Sequence, residues 1–184
     1  MNERREEPCY DSTQGPRDRD MAESPKLSPQ QVSDAIRAGL REGRQPVDMS
    51  ADEGSQQAGV YRRNLAHCRG HVRKSLDEGD YLQAAEKSWG AFAQSIKAVA
   101  ADHRLRLTHH ASIMGVADHL ALLAGSLDTA AGQALRQGLL TARSLHQHWH
   151  EDDLSDTTVT TSTREVMAAI DLLQGFFPVD TPAP

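Results

Sequence analysis

From about residue 56, apolar side chains recur at steps of three and four residues, the period of helices with one buried face. The strongest stripe consists of Leu82, Ala85, Trp89, Phe92, Ile96 and Val99. Such stripes predict helices over about 56–78, 80–103, 111–124, 128–150 and 162–177. The sequence therefore predicts an all-α fold, an antiparallel up-and-down bundle of about five helices over residues 56–177, with Trp89 buried between helices.

Short polar connections mark the predicted helix ends. Gly79 and Asp80 join the first two helices of the bundle and permit only a tight turn, so these helices are expected to be antiparallel neighbours. Gly125 is expected to end the third helix, since glycine is favoured just past a helix end. Asp128 is expected to cap the fourth.

The segment SDTTVTTST, residues 155–163, is polar and β-branched and has no partner strand elsewhere in the sequence. It is therefore predicted to be a loop. Ser162 and Glu165 have the spacing of a capping box, which predicts that the last helix begins there. Pro178 prevents its continuation and begins a tail over residues 178–184.

Residues 1–55 are predicted to form a largely disordered arm. The first 26 are charged and proline-containing, with too few apolar side chains to offset the conformational entropy lost on folding. Ser28 and Gln31 have the spacing of a capping box and predict a short helix near 28–42. The bundle is expected to survive removal of residues 1–26.

Composition argues against a globally basic nucleic-acid-binding protein, a disulfide-stabilised or zinc-binding protein and a membrane protein. The 184-residue chain is 38% hydrophobic and carries a formal net charge of −6, so any nucleic-acid site has to be local. Cys9 and Cys68 lie far apart, and neither a zinc spacing nor a disulfide is expected. No apolar run approaches the roughly 18 residues of a membrane span, and the first residues do not resemble a signal peptide. These features predict a cytoplasmic protein without a membrane segment.

The densest group of functional side chains is the segment RSLHQHWHEDD, at the end of the fourth predicted helix. At about 100° per residue, Arg143, His146 and His150 share one helix face, and His148 lies about 140° away from Arg143. A neutral histidine can take a proton from a ribose 2′-hydroxyl while a guanidinium holds the phosphate, which suits phosphodiester cleavage. The alternative is structural, because histidines also stabilise helix C-termini.

A second group lies on the first helix of the bundle, where Arg62, Arg69 and Arg73 accompany further basic residues. On an acidic protein this is a local positive patch that suits phosphate contacts. The alternative is a solvated helix face.

Two pairs of histidines have the i, i+4 spacing that can chelate one metal ion, His67 with His71 and His146 with His150. Two ligands do not complete a site. A metal-binding helical bundle is therefore a third hypothesis. Under the leading hypothesis, given below, no metal or other cofactor is expected.

Two stretches, DYLQAAEKSWGAFAQSIKAVAADH and ARSLHQHWHEDDLSDTTV, resemble small archaeal and bacterial helical proteins allied to the HEPN superfamily. Those proteins show YxxAAEKxWGAxxxxxKAxA and then AxxLHxNFYExxL. The matching residues are Tyr81, Ala85, Glu86, Lys87, Trp89, Gly90, Ala91, Lys97, Ala142, Leu145 and His146. Here His148, Trp149 and His150 replace the usual Asn, Phe and Tyr. The resemblance covers about residues 80–170.

The resemblance implies an antiparallel helical bundle that usually dimerises. In nuclease members of the superfamily, an Arg-x(4–6)-His motif forms a composite ribonuclease site across the dimer. Four residues separate Arg143 from His148 and six separate it from His150, so both pairs fit. His146 is expected to orient the pair or to be structural.

These implications lead to three functional hypotheses. The first is a dimeric HEPN-like protein that binds or cleaves RNA or nucleotides, for example as a metal-independent toxin or defence ribonuclease with an antitoxin partner. The second is a non-catalytic dimeric interaction module, and the third is the metal-binding bundle.

Dimerisation is also expected from small residues on the fourth helix, which allow close approach of a second copy of the chain. These residues are Ala131, Ala134, Gly138 and Ala142.

Overall fold

The computed structural model describes residues 27–40 and 46–178, and this part of the chain is all-α, which confirms the predicted fold class. Its helices are α1 Pro29–Ala38, α2 Ala51–Asp77, α3 Tyr81–Asp102, α4 His110–Leu127, α5 Thr129–Glu151 and α6 Asp156–Phe176. Two short strands, β1 Val47–Asp48 and β2 Leu105–Arg106, pair antiparallel. No helix within the described ranges is long and apolar enough to cross a membrane. The predictions for residues 1–26 and for the tail beyond Pro178 lie outside the described residues.

α3 is the central helix of the bundle and packs against α2, α5 and α6. The ring of His110, at the start of α4, lies 4.7 Å from the ring of Trp89 in the first half of α3. The extended segment after α3 therefore returns along that helix, so α3 and α4 run in the same direction. The pairs α2–α3, α4–α5 and α5–α6 are antiparallel.

The predicted turn between α2 and α3 and the cap of α5 are confirmed. Gly79 has a φ of 73°, which a residue without Cβ adopts without strain. Asp80 accepts a hydrogen bond from the backbone N–H of Gln83 at 3.0 Å. Asp128 likewise accepts from two backbone N–H groups in the first turn of α5.

The predicted loop over residues 155–163 is wrong, because these residues form the first turns of α6. Ser155, rather than Ser162, is the N-cap and accepts a hydrogen bond from the N–H of Thr158. Val159 and Thr163 lie four residues apart and are both buried. Tertiary burial of this face outweighs the weak helix propensity of β-branched residues.

The predicted end of the third bundle helix at Gly125 is also wrong, since α4 continues through it to Leu127. A Cβ on Gly132 of α5 would lie only 2.4 Å from the Cα of Gly125. The two glycines thus allow α4 and α5 to approach closely. The glycine that suggested a helix end is a packing position.

Part of the region predicted as an arm belongs to the packed structure. The predicted short helix is present as α1, with the reciprocal Ser28–Gln31 capping box. Val32 and Ile36 of α1 lie in the main hydrophobic core. α2 begins at Ala51, five residues before its predicted start, behind a second capping box formed by Ser50 and Glu53.

The small residues of α5 are used largely within the chain. A Cβ on Gly138 would lie 2.2 Å from the Cβ of Ala169 in α6, so this position allows α5 and α6 to pack. Ala131 and Ala142 are buried, and Ala134 is exposed. Dimerisation stays a prediction, without support from this stripe.

Candidate functional site

Five aromatic and imidazole rings meet where α3 begins, α4 begins and α5 ends. We call them the ring cluster: Trp89, His110, His146, Trp149 and His150. The centroid of His146 lies 5.1 Å from those of Trp89, His110 and His150. Trp149 lies 4.5 Å from His150, edge to face.

The ring cluster runs from the core to the surface. Trp89 is 7% exposed, which confirms its predicted burial, His146 is partly buried, and Trp149 is 41% exposed. Spacings of three and four residues on α5 bring His146 next to Trp149 and His150. His110 comes from another part of the chain, and only the returning segment before α4 brings it here.

Burial and neighbouring charge keep His146 neutral at pH 7. Loss of solvation lowers the pKa of His146 below its ordinary value of 6.5, and the nearby His110 and His150 lower it further. Glu86 opposes this shift. The Nδ1 atom of His146 is buried and has no hydrogen-bond partner among the described residues. A neutral imidazole with an unpaired nitrogen can exchange a proton, provided that a ligand or neighbouring ring reaches it.

A charged pair lies beside the rings on α3. The ammonium of Lys87 is 2.6 Å from a carboxylate oxygen of Glu86, and both side chains are partly buried. Burial raises the pKa of the adjacent Cys68 thiol on α2, and Lys87 opposes the rise. A Cβ on Gly90 would lie 3.4 Å from the Cys68 sulfur, so the glycine leaves room for α2. The AEKxWG segment thus supplies a core ring, a close helix contact and two charges.

Arg143 and His150 are both exposed on α5, and His150 belongs to the ring cluster. They are seven residues apart, two turns or about 10 Å along the helix. Arg143 is exposed and makes no hydrogen bond or ion pair with any other described residue, so its guanidinium is available to a ligand. Sequence periodicity correctly placed Arg143, His146 and His150 on one face.

His148 occupies a different environment from the other histidines of α5. Its side chain is 1% exposed, and its Nδ1 accepts a hydrogen bond from the backbone N–H of Leu154 at 2.9 Å. The carboxylate of Asp153 lies 3.4 Å from the same nitrogen. The hydrogen bond from Leu154 holds the turn after α5, where Asp152 has a left-handed φ of 49°. Of the two Arg–His pairs proposed from the sequence, only Arg143 with His150 has an accessible imidazole.

The predicted basic patch on α2 is partly occupied within the fold. Arg62 forms an ion pair with Asp102 of α3, and Arg69 forms one with Asp171 of α6 at 2.6 Å. Burial raises the pKa of Asp102, and Arg62 opposes this rise. Arg73 is exposed. Two of the three arginines therefore fasten α2 to its neighbours, and phosphate binding by this helix stays a prediction.

The described residues contain no group of three or more His, Cys, Asp or Glu side chains placed to hold a metal ion. His67 and His71 do lie side by side on α2, with ring centroids 4.3 Å apart. His146 and His150 face each other edge to face. Both i, i+4 pairs thus form contacts, and neither gains a third ligand within this part of the protein.

The fold and the site define a class, an all-α bundle protein in which three histidines from two helices meet at one end of the bundle. A model of the archaeal PaREP1/PaREP8 family matches residues 71–170, which is more than half of the chain. The chain belongs to this family. No curated protein and no solved structure matches it.

Proposed function

We propose that this protein is HEPN-like and that it binds and cleaves RNA at the ring cluster without a metal ion. In this proposal Arg143 holds a phosphate group, and His150 takes part in proton transfer. His146 positions His150 through the edge-to-face contact between their rings.

One arrangement carries the proposal: a free arginine and an exposed imidazole on one face of α5, next to a histidine with a lowered pKa. An arginine fork matches the geometry of phosphate oxygens. An exposed imidazole that reaches a ligand is suited to general acid–base catalysis. The neighbouring indole and imidazole rings suit nucleic acid bases, which stack on aromatic side chains.

The cleavage step requires no cofactor. The neutral His150 imidazole takes the proton of a ribose 2′-hydroxyl, and the 2′-oxygen attacks the adjacent phosphorus. The bond from phosphorus to the 5′-oxygen breaks, and the His150 imidazolium can return the proton to that oxygen. The products are a 2′,3′-cyclic phosphate and a 5′-hydroxyl end. Arg143 stabilises the charge on the phosphate oxygens.

Substitutions at Arg143 and His150 test this assignment. We expect Arg143→Ala to reduce cleavage of a single-stranded RNA by roughly 10²–10³-fold, the usual effect of losing one electrostatic contact. His150→Ala is expected to cost about 10²–10⁴-fold. The matched control is Arg164→Ala, which removes another exposed arginine, on α6 and outside the ring cluster. If both site variants cleave as well as the parent, these residues are not the site.

A second candidate function is a non-catalytic dimeric interaction module. Leu122 on α4 and Leu140 on α5 are 54% and 53% exposed, and such apolar side chains suit a protein contact. This candidate predicts a dimer in light scattering that Leu122→Asp together with Leu140→Asp dissociates. It also predicts no RNA cleavage by the parent protein.

A further inference from the structure

We infer that Trp149 binds an unpaired base by stacking, which makes single-stranded RNA the substrate class of the ring cluster. This inference rests on the proposed function and adds a specificity-determining residue to it. Trp149 lies outside the proposed proton-transfer and phosphate contacts, so it can be tested separately from them.

The first observation is the exposure of this indole. Trp149 is 41% exposed, and the described residues contain no other exposed Trp, Tyr or Phe side chain. The other tryptophan, Trp89, is buried in the core, so the fold does not lack space for large rings. An indole left at the surface next to polar groups is typical of a binding position, since tryptophan is enriched among residues that dominate binding.

The second observation is how the indole is held. Its ring contact among the described residues is the edge-to-face one with His150, at 4.5 Å and 69° between the planes. His150 in turn contacts His146, and His146 contacts the buried Trp89. Packing through the ring cluster therefore restrains the Trp149 indole on the side that faces the core. A restrained ring loses less conformational entropy on binding than a freely rotating one.

The third observation is the position of Trp149 relative to the phosphate site. Around the axis of α5, Arg143 and His150 lie on one side of His146, and Trp149 lies about 60° beyond it on the other side. Arg143 and Trp149 are six residues, or about 9 Å, apart along the helix. A strand held by its phosphate at Arg143 thus brings a neighbouring base to the indole as it crosses the imidazoles.

Stacking on Trp149 requires a base with a free face. In a duplex each base is covered on both faces by its neighbours, whereas a single strand can turn a base outward onto an aromatic side chain. Aromatic platforms of this kind discriminate weakly between bases, because every base offers a flat face. The protein is therefore expected to distinguish single strands from duplexes rather than one base sequence from another.

Binding of RNA to the full chain tests the inference. The probes are 12-nucleotide oligo-uridine and oligo-adenosine with 2′-O-methyl groups, which prevent cleavage, and a 12-base-pair duplex of mixed sequence. We expect Trp149→Ala to weaken single-strand binding about 5- to 150-fold, the range for loss of one stacked base. Trp149→Phe is expected to retain most of the affinity. Leu127→Ala, which removes an exposed apolar side chain from the end of α4, is expected to change it less than twofold.

Tryptophan fluorescence reports stacking on the indole directly, whether or not the affinity for RNA changes. The chain has two tryptophans, and quenching on addition of single strands should disappear in Trp149→Phe, which keeps Trp89. If the parent binds single strands and Trp149→Ala binds them equally well, the inference is wrong while the proposed function stands. Preference of the parent for the duplex would also overturn the inference. If the parent binds none of the RNAs, the proposed function and the inference both fail.

Discussion

The histidines at the end of α5 lie within five residues of one another, yet their surroundings differ. His146 is half-buried among rings, His148 is enclosed and hydrogen-bonded to the backbone of Leu154, and His150 is exposed. These differences follow from the helical angle at which each side chain leaves α5. The burial of each histidine therefore decides which of them a ligand can reach.

The lowered pKa of His146 predicts that the protein loses stability in acid. The unfolded chain, with its ordinary histidine pKa of 6.5, binds a proton before the folded state does. The contribution of His146 is therefore complete above pH 6.5 and is lost as the pH falls through the lower, folded pKa. His146→Gln should flatten this part of the stability–pH curve measured by urea unfolding. His67→Gln on α2 is the control, and an identical effect of both changes would contradict the prediction.

His148 and His150 are expected to differ in their effect on stability. His148→Ala leaves the N–H of Leu154 without its partner, at about 1–3 kcal/mol, and adds the loss from a buried cavity. His150→Ala removes an exposed side chain and should change the free energy of unfolding by less than about 0.5 kcal/mol. Urea titrations of both variants measure these values. Equal effects would mean that His148 is not held as described.

At the scale of elements, periodicity and caps predicted most of the helices. The Asp80 and Asp128 caps and the α1 capping box are local signals, and the structure has all three. The start of α6 depends on burial of Val159 and Thr163, and the glycines of α4 serve in helix packing. Such tertiary contacts leave no local signal in one sequence. For the same reason the approach of His110 to the site could not be predicted.

The close contact between α1 and α4 predicts that a glycine on α4 cannot be enlarged. A Cβ on Gly115 would lie 2.0 Å from the carbonyl oxygen of Gly39, so the helices would have to separate. Gly115→Ala is expected to cost about 1–3 kcal/mol of unfolding free energy, as in other overpacked sites. Gly70→Ala on α2 is the matched control, because nothing lies within 4 Å of its added methyl. That change should stabilise the helix by about 0.5–1 kcal/mol.

At the scale of the whole molecule, the described protein is one packed body that includes α1. The PaREP1/PaREP8 match begins at residue 71, within α2, yet the core also contains Val32 and Ile36. The ring cluster lies entirely within the matched residues. The chain before residue 71 thus contributes to stability, whereas the proposed chemistry belongs to the family region.

Two shortened chains test the contribution of α1. A chain that starts at residue 27 is expected to unfold at the same urea concentration as the full chain. A chain that starts at residue 56 loses the burial of Val32 and Ile36, roughly 3–6 kcal/mol together, and the Ser50–Glu53 capping box. This is a large part of the total stability of a typical domain. Equal stability of both shortened chains would show that α1 adds nothing to the core.

Metal-independent cleavage by the ring cluster is tested most directly by the chemistry at the cut ends of an RNA. The parent protein is incubated with end-labelled single-stranded RNA in EDTA, and the fragments are analysed for their termini. We expect cleavage that persists without divalent cations and leaves 2′,3′-cyclic phosphate and 5′-hydroxyl ends, because the ribose 2′-hydroxyl is the nucleophile. Uncut RNA, cleavage that appears only when a divalent cation is added, or fragments with 5′-phosphate ends would contradict it.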